Sequence, residues 1–365
     1  MSVGQGAPGS AGGAGVEGGP PRRRAVWIYG PGPDLLIALC WLPLFAVGHV
    51  LSAGHGAHDD DLLRRALAAA FLLSFLHQPL TLGLVYGDRE QFRQRRSLFI
   101  AAPVATVAVV CVAVLAHLWI VIPIAAVWNT VHTLQERYGL SRIYARKAGY
   151  GSASLDRWIL YAWMAVVALV VAADPATPRL VTRVSLDGVN AAGVGLLTDA
   201  RPAALALLVP AFVVAVGLTA ALLRQERHPE RHAGSAANPA KWMYQGSSLL
   251  LIASIAVDPA AGFIAYVGAH AIEYFVVVYK TSERRYAGRR DTRGAFARAS
   301  RSWPGRVAAV GAIVALALLA HARLHGDLFD GVLYTVGVLH FLYDGVIWKL
   351  RTPAVAADFS IRAGT

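Results

Sequence analysis

The chain has 365 residues, of which 56% are hydrophobic and only 15% charged, with a mean hydropathy of +0.48. Soluble domains carry about a quarter charged residues, so this composition excludes a disordered protein and argues against an ordinary soluble enzyme. The net charge of +12 raises nucleic acid as a partner, and the placement of the basic residues must decide what the charge means.

In chain order, residues 1–33 form a Gly/Pro-rich segment containing Arg22, Arg23 and Arg24. It reads as a disordered cytoplasmic tail, because such a composition cannot bury a core. Apolar runs follow, separated by short polar stretches. A helix needs about 20 apolar residues to cross a bilayer. Spans are expected near 34–53, 66–87, 98–116, 118–137, 157–173, 203–223, 243–258, 260–280, 306–322 and 328–348. Three of these are short, which leaves a count of eight to ten. The first span reads as retained rather than as a cleaved signal peptide. Residues 34–350 therefore read as one transmembrane helical domain, all-α and polytopic, with a short cytoplasmic tail at 351–365.

With the N-terminus inside, 28 of the 34 basic residues fall in internal segments and 6 in external ones. That asymmetry is what the positive-inside rule predicts for a multi-pass protein of the cell (inner or plasma) membrane with both termini cytoplasmic. The partner of the basic charge is then anionic lipid, and nucleic acid is not needed. The loop 174–202 is the one sizeable external segment, and Leu180–Leu197 reads as a short interfacial or re-entrant helix. The loop 280–306 holds nine basic residues among Tyr286, Phe296 and Trp303 and reads as a basic interfacial segment. Cys40 and Cys111 lie in apolar runs and provide no disulfide framework or metal spacing. His55, His58 and Asp59, Asp60 and Asp61 form a second, weaker candidate for a cation outside the membrane.

Ionisable groups within spans are costly, so each is a functional hypothesis by default. His77, His132, His270 and His340 lie in four spans that run in the same direction. Counted from the first cytoplasmic charge, His77, His270 and His340 share one layer. His132 lies one to two turns lower, measured from Arg137. His132 and Glu136 are at i, i+4, His270 and Glu273 at i, i+3, and His340 and Asp344 at i, i+4, so each pair shares a helical face. Gln78 follows His77. Imidazole and carboxylate from facing helices are how bundles hold iron or manganese, with one ion or two. His77, His132, His270, Glu273, His340 and Asp344 are therefore the expected ligand set. Tyr274 and Tyr343 are candidates for hydrogen-bonding at the reacting centre, and Trp128 or Trp348 for lining a pocket. Glu136 reads equally well as a solvated helix-end residue, and Asp344 as a partner of Lys349 or Arg351. Haem ligation by two of the histidines, a proton-coupled transport path and a purely structural polar network are the competing readings.

The four intramembrane histidines, His77, His132, His270 and His340, give the apolar body of the chain a resemblance to integral-membrane oxygenases of the Brp/Blh type, which cleave β-carotene. The paired His boxes of membrane desaturases are not present. The resemblance implies non-haem iron, dioxygen and a lipophilic small-molecule substrate entering from the bilayer. The expected activity is a metal-dependent membrane oxygenase. Oligomeric state is left open.

Overall fold

Helix Pro259–Tyr286 is built to sit at the centre of a bundle. Its sequence sets Ala260, Ala261, Gly262, Ala265, Gly268, Ala269 and Ala271 along one length, and small residues let neighbouring backbones approach closely. The computed structural model describes residues 25–54, 56–118, 120–184, 191–227, 238–288 and 290–361. The described residues are all-helical. In chain order the helices are α1 (Pro31–Leu39), α2 (Trp41–Ala53), α3 (Ala57–Tyr86), α4 (Arg89–Gln94), α5 (Arg96–Leu115), α6 (Val121–Ala148), α7 (Ala153–Ala173), α8 (Thr177–Val184), α9 (Ala191–Arg227), α10 (Pro239–Val257), α11 (Pro259–Tyr286), α12 (Ala295–Ala299), α13 (Trp303–Arg323), α14 (Gly326–Ile347) and α15 (Pro353–Asp358). α11 packs on α2, α3 and α10; α14 packs on α3 and α5; α6 packs on α7 and α10.

Each expected span falls on a long helix, the first on α1 and α2 together. Seven stretches are long and apolar enough to cross a membrane: α1 with α2, α3, α5, α7, α9, α11 and α13. The outer surfaces of these helices carry exposed Val104, Val109, Leu115, Val209 and Leu316, an apolar coat that water would not favour. The chain thus has the helices of a membrane protein. The remaining three long helices, α6, α10 and α14, are more polar. α6 carries His132, Glu136 and Arg137, α10 carries Lys241 and Gln245, and α14 carries Asp327, Asp330 and Asp344.

Two expected loops are more ordered than their composition suggests. Helix α9 begins at Ala191, so its first turns occupy residues assigned to the external loop. Residues 185–190 lie outside the described residues, as do 1–24, His55, His228 and His232. In the basic segment 280–306, Tyr286 and Phe296 are buried, and Trp303 alone of the three aromatics is exposed. Tyr286 donates to Asp88 at 2.6 Å, and Arg306 pairs with Glu283 at 3.0 Å. Two of the three acidic residues at the start of α3 form ion pairs: Asp60 binds Arg183, and Asp61 binds Arg65 at 2.8 Å.

Both terminal segments dock onto the bundle and meet each other. Asp34, fully buried, accepts from the backbone of Ile28 at 2.6 Å and Tyr29 at 3.0 Å, and from the Tyr144 hydroxyl at 2.9 Å. Burial pushes the Tyr29 phenol well above its ordinary pKa, so it stays neutral beside Thr281. After α14, Phe359 and Ile361 are buried against the same cluster as Ile28, and Arg285 binds Asp358.

Candidate metal centre

Four helices carry the histidines to one point. α3 supplies His77, α6 His132, α11 His270 and α14 His340. His77, His270 and His340 are at most 1% exposed and His132 is 5% exposed. His340 Nε2 lies 3.2 Å from His77 Nε2 and 3.1 Å from His132 Nε2. The His270 ring sits edge-on to His77, with centroids 4.7 Å apart, and to His132, with centroids 5.3 Å apart. Glu136 Oε1 lies 3.4 Å from His132 Nε2, and Glu136 Oε2 lies 2.9 Å from His270 Nδ1. One donor atom from each of His132, Glu136, His270 and His340 falls within 4.8 Å of all the others.

The hydrogen bonds around His340 decide which of its nitrogens carries a proton. Thr81 donates its single hydroxyl proton to Asp344 Oδ1 at 3.0 Å. Its oxygen also lies 2.7 Å from His340 Nδ1 and, with the Thr81 proton on Asp344, accepts from that nitrogen in the tautomer that leaves Nε2 unprotonated. The Nε2 lone pair of His340 then faces His77 and His132. One lone pair serves one N–H well, yet two imidazole nitrogens stand within 3.2 Å of it. A shared cation would use all three lone pairs at once. Nitrogens about 2.0–2.1 Å from a cation are about 3.0 Å apart across an octahedral edge and about 3.4 Å across a tetrahedral one. The observed separations lie between those values. His270 Nε2 and Asp344 Oδ2 are buried and make no hydrogen bond among the described residues, while His270 Nδ1 faces Glu136 Oε2. Buried polar atoms left without a partner beside the cluster fit a cation better than they fit a closed network.

Asp344 acts as a hub beside the histidines. Its Oδ1 accepts from Thr81, from Tyr274 at 2.9 Å and from Trp348 Nε1 at 3.2 Å. Its Oδ2 is 3.7 Å from His340 Nδ1 and 3.9 Å from His132 Nε2. A carboxylate that fixes the partner of a ring N–H sets the tautomer and direction of the ring. Thr81 also contacts the Tyr274 hydroxyl closely. Pro79 in α3, two residues past His77, frees the Phe75 carbonyl from its helical bond just before Thr81.

Of the residues expected from sequence, His77, His132, His270, His340, Asp344 and Tyr274 come together. Glu273 does not join them. It is buried and bound by Arg137, with the Tyr244 hydroxyl at 3.3 Å from its Oε2. Arg137 is itself fully buried and donates to Ser248 at 2.9 Å. A buried carboxylate with a paired guanidinium needs no metal to neutralise it. Tyr343 also lies elsewhere, packed on Phe99 and bonded to Tyr86 at 2.6 Å. Gln78 is buried near Gly337. Glu136 takes the place Glu273 was expected to hold.

His132 shares the layer of the other three histidines, and the buried Arg137 explains why sequence counting lowered it. Arg137 is buried inside the bundle; counted from the next basic residue, Arg142, His132 lies ten residues before it, matching the spacing of His77 from Asp88, His270 from Lys280 and His340 from Lys349. Thr81 had no signal in the sequence beyond its i, i+4 spacing from His77.

Two open spaces reach the cluster. A cleft of about 570 Å³ is lined by Ile124, Val127, Trp128, Val131 and Phe341, and ends at His132 and Gln135. Its apolar walls are partly exposed on the bundle's outer surface, Trp128 by 51% and Val127 by 65%. A second space of about 670 Å³ has Glu136, Tyr274 and Asp344 at one end and Arg142, Arg146, Arg157, Lys349 and Arg351 elsewhere on its wall. Comparison with family models, curated proteins and solved structures finds no match to this chain.

Proposed function

We propose that the chain is a metal-dependent oxidoreductase embedded in the cell membrane, with iron as its metal and a lipophilic small molecule as its substrate. The observation that carries the reading is that His340 Nε2 has His132 Nε2 at 3.1 Å and His77 Nε2 at 3.2 Å, with donor atoms of His270 and Glu136 within 4.8 Å of those of His132 and His340. The four histidines that carry the resemblance to Brp/Blh-type oxygenases are the ones that converge, which supports the same reading. Nitrogens on opposite faces of a haem iron would stand about 4 Å apart at bond lengths of about 2.0–2.1 Å. The shorter spacing here favours neighbouring ligands on a non-haem ion.

His77, His132, His270, His340 and Glu136 would hold the ion. Iron on imidazole and carboxylate donors supplies open positions and one-electron chemistry toward dioxygen. The chain's own groups do the rest. Thr81 and Asp344 orient His340. The Tyr274 phenol donates to Asp344 Oδ1, and Asp344 Oδ2, 3.9 Å from His132 Nε2, is left to accept a proton. The burial of His270 and His340 excludes water, and the Trp128 cleft admits an apolar chain to His132 from the lipid side. On this reading the chain crosses ten times, with α6, α10 and α14 counted among the crossings, so that the centre would lie in the hydrocarbon and the basic residues at the cytoplasmic rim.

Metal analysis with an optical spectrum on detergent-purified protein tests the reading. Iron near stoichiometry without a Soret band is expected, together with its loss in His270→Ala and His340→Ala. A Soret band would replace the ion by haem, and metal content untouched in both variants would remove the centre.

A further inference from the structure

The two spaces at the cluster differ in chemistry and share a wall. His132 and Gln135 line both. On the first side every other lining residue is apolar. On the second, five cations line the cavity. Arg142 is paired with Asp156 at 2.9 Å. Arg146 donates to the Leu350 carbonyl, and the Arg157 guanidinium lies over the Tyr138 ring. Among the described residues Arg146, Arg157, Lys349 and Arg351 have no carboxylate partner. The acidic groups of this cavity, Glu136, Glu273 and Asp344, lie at its deep end, and Glu273 is neutralised by Arg137. Cations at a cytoplasmic rim normally meet lipid headgroups. These line a cavity that continues to the histidines. Lys349 follows His340 by nine residues and Arg146 follows His132 by fourteen, so these cations stand roughly 14 and 21 Å along the helix axes from the cluster.

We propose that the substrate of this centre is an anionic amphiphile, whose apolar chain lies in the Trp128 cleft and whose anionic head is held by Arg146, Lys349 and Arg351, so that chain carbons pass His132 where the two spaces meet. This rests on the oxidoreductase reading for the word substrate. The head is a carboxylate or a phosphate; a fatty acid and an anionic phospholipid present the same charge on an apolar chain. An uncharged hydrocarbon would leave the four unpaired cations without a role in recognition.

The test is equilibrium binding to the full chain in a neutral detergent, with metal content measured on the same sample. Radiolabelled palmitate is compared with methyl palmitate, and dioleoylphosphatidylglycerol with dioleoylglycerol. The expected result is binding of one anionic probe at least about tenfold tighter than its uncharged counterpart, a preference that shrinks as salt rises. Whichever anion is preferred identifies the head. In Arg146→Gln/Lys349→Gln/Arg351→Gln the preference should fall to within about threefold, while binding of the uncharged probe stays as in the wild type. The wild-type acid and ester comparison stands without the variant. Equal binding of charged and uncharged probes, or preference for the uncharged one, overturns the proposal. Charge-selective binding to a wild-type protein that holds no metal overturns the role as substrate and, separately, the oxidoreductase reading. Stoichiometric metal without charge selectivity overturns the amphiphile alone.

Discussion

Thr81 has one hydroxyl proton and gives it to Asp344, which leaves its oxygen to receive the N–H of His340. Replacing it by valine keeps the shape and removes the acceptor. Thr81→Val is expected to weaken metal affinity about 10–100-fold, the range found when partners behind a ligating histidine are removed. Competitive chelator titration measures it, and unchanged affinity would mean that His340 is oriented by packing alone. Arg137 and Glu273 form the other buried unit at this scale. Arg137→Met alone strands a carboxylate that is 2% exposed and is expected to cost about 3–5 kcal/mol. Adding Glu273→Leu removes the stranded charge and should recover most of that loss, read as the midpoint of unfolding in detergent. Single and double variants of equal stability would show that the pair contributes little.

At the scale of elements, the approach of α2 to α11 depends on what is missing from Gly48. A Cβ there would lie 2.9 Å from Ala261 Cα, a backbone atom that cannot swing aside. Gly48→Leu is therefore expected to push the two helices apart and destabilise by about 1–3 kcal/mol. Gly217 in α9 has open space around its would-be Cβ, so Gly217→Ala should be neutral or slightly stabilising through helix propensity. Thermal melts of the two variants check this contrast. α6 illustrates a different element-scale effect. It continues to Ala148 because Arg137 is paired inside the bundle and because Ser141, Ile143, Tyr144 and Ala145 are buried, so its polar residues face protein.

The whole molecule keeps its charge in two populations. Lys241 is almost fully buried between Asp156 at 2.8 Å and Glu226 at 2.9 Å, and Arg137 is buried on Glu273. Both were counted among the cytoplasmic-side cations in the sequence, yet both are buried and paired with carboxylates inside the bundle. The remaining asymmetry still predicts an orientation. In a Cys40→Ala/Cys111→Ala background, Arg93→Cys and Arg298→Cys should react with an impermeant maleimide from the cytoplasmic face. His58→Cys and Arg179→Cys should react from the opposite face; all four positions are exposed. Labelling of both pairs from one face would break the ten-crossing map.

The amino-acid sequence by itself determined the helical, membrane-type architecture and the four histidines. Both follow from local quantities: the length of an apolar run, and the cost of an imidazole placed within one. It did not determine the partners of the carboxylates. Glu273 sits three residues from His270 in the chain, yet α10, packed on both α6 and α11, supplies Tyr244, and Arg137 reaches it from α6. Glu136, adjacent to that arginine in sequence, turns instead to His132 and His270. Thr81 and the shared wall at His132 were likewise illegible, because each exists only where separate helices meet. Spacing along one helix selects a face. Which charge that face meets is set by the neighbouring helix, and in a low-dielectric interior that encounter decides whether a carboxylate pairs with a guanidinium or faces a cluster of imidazoles.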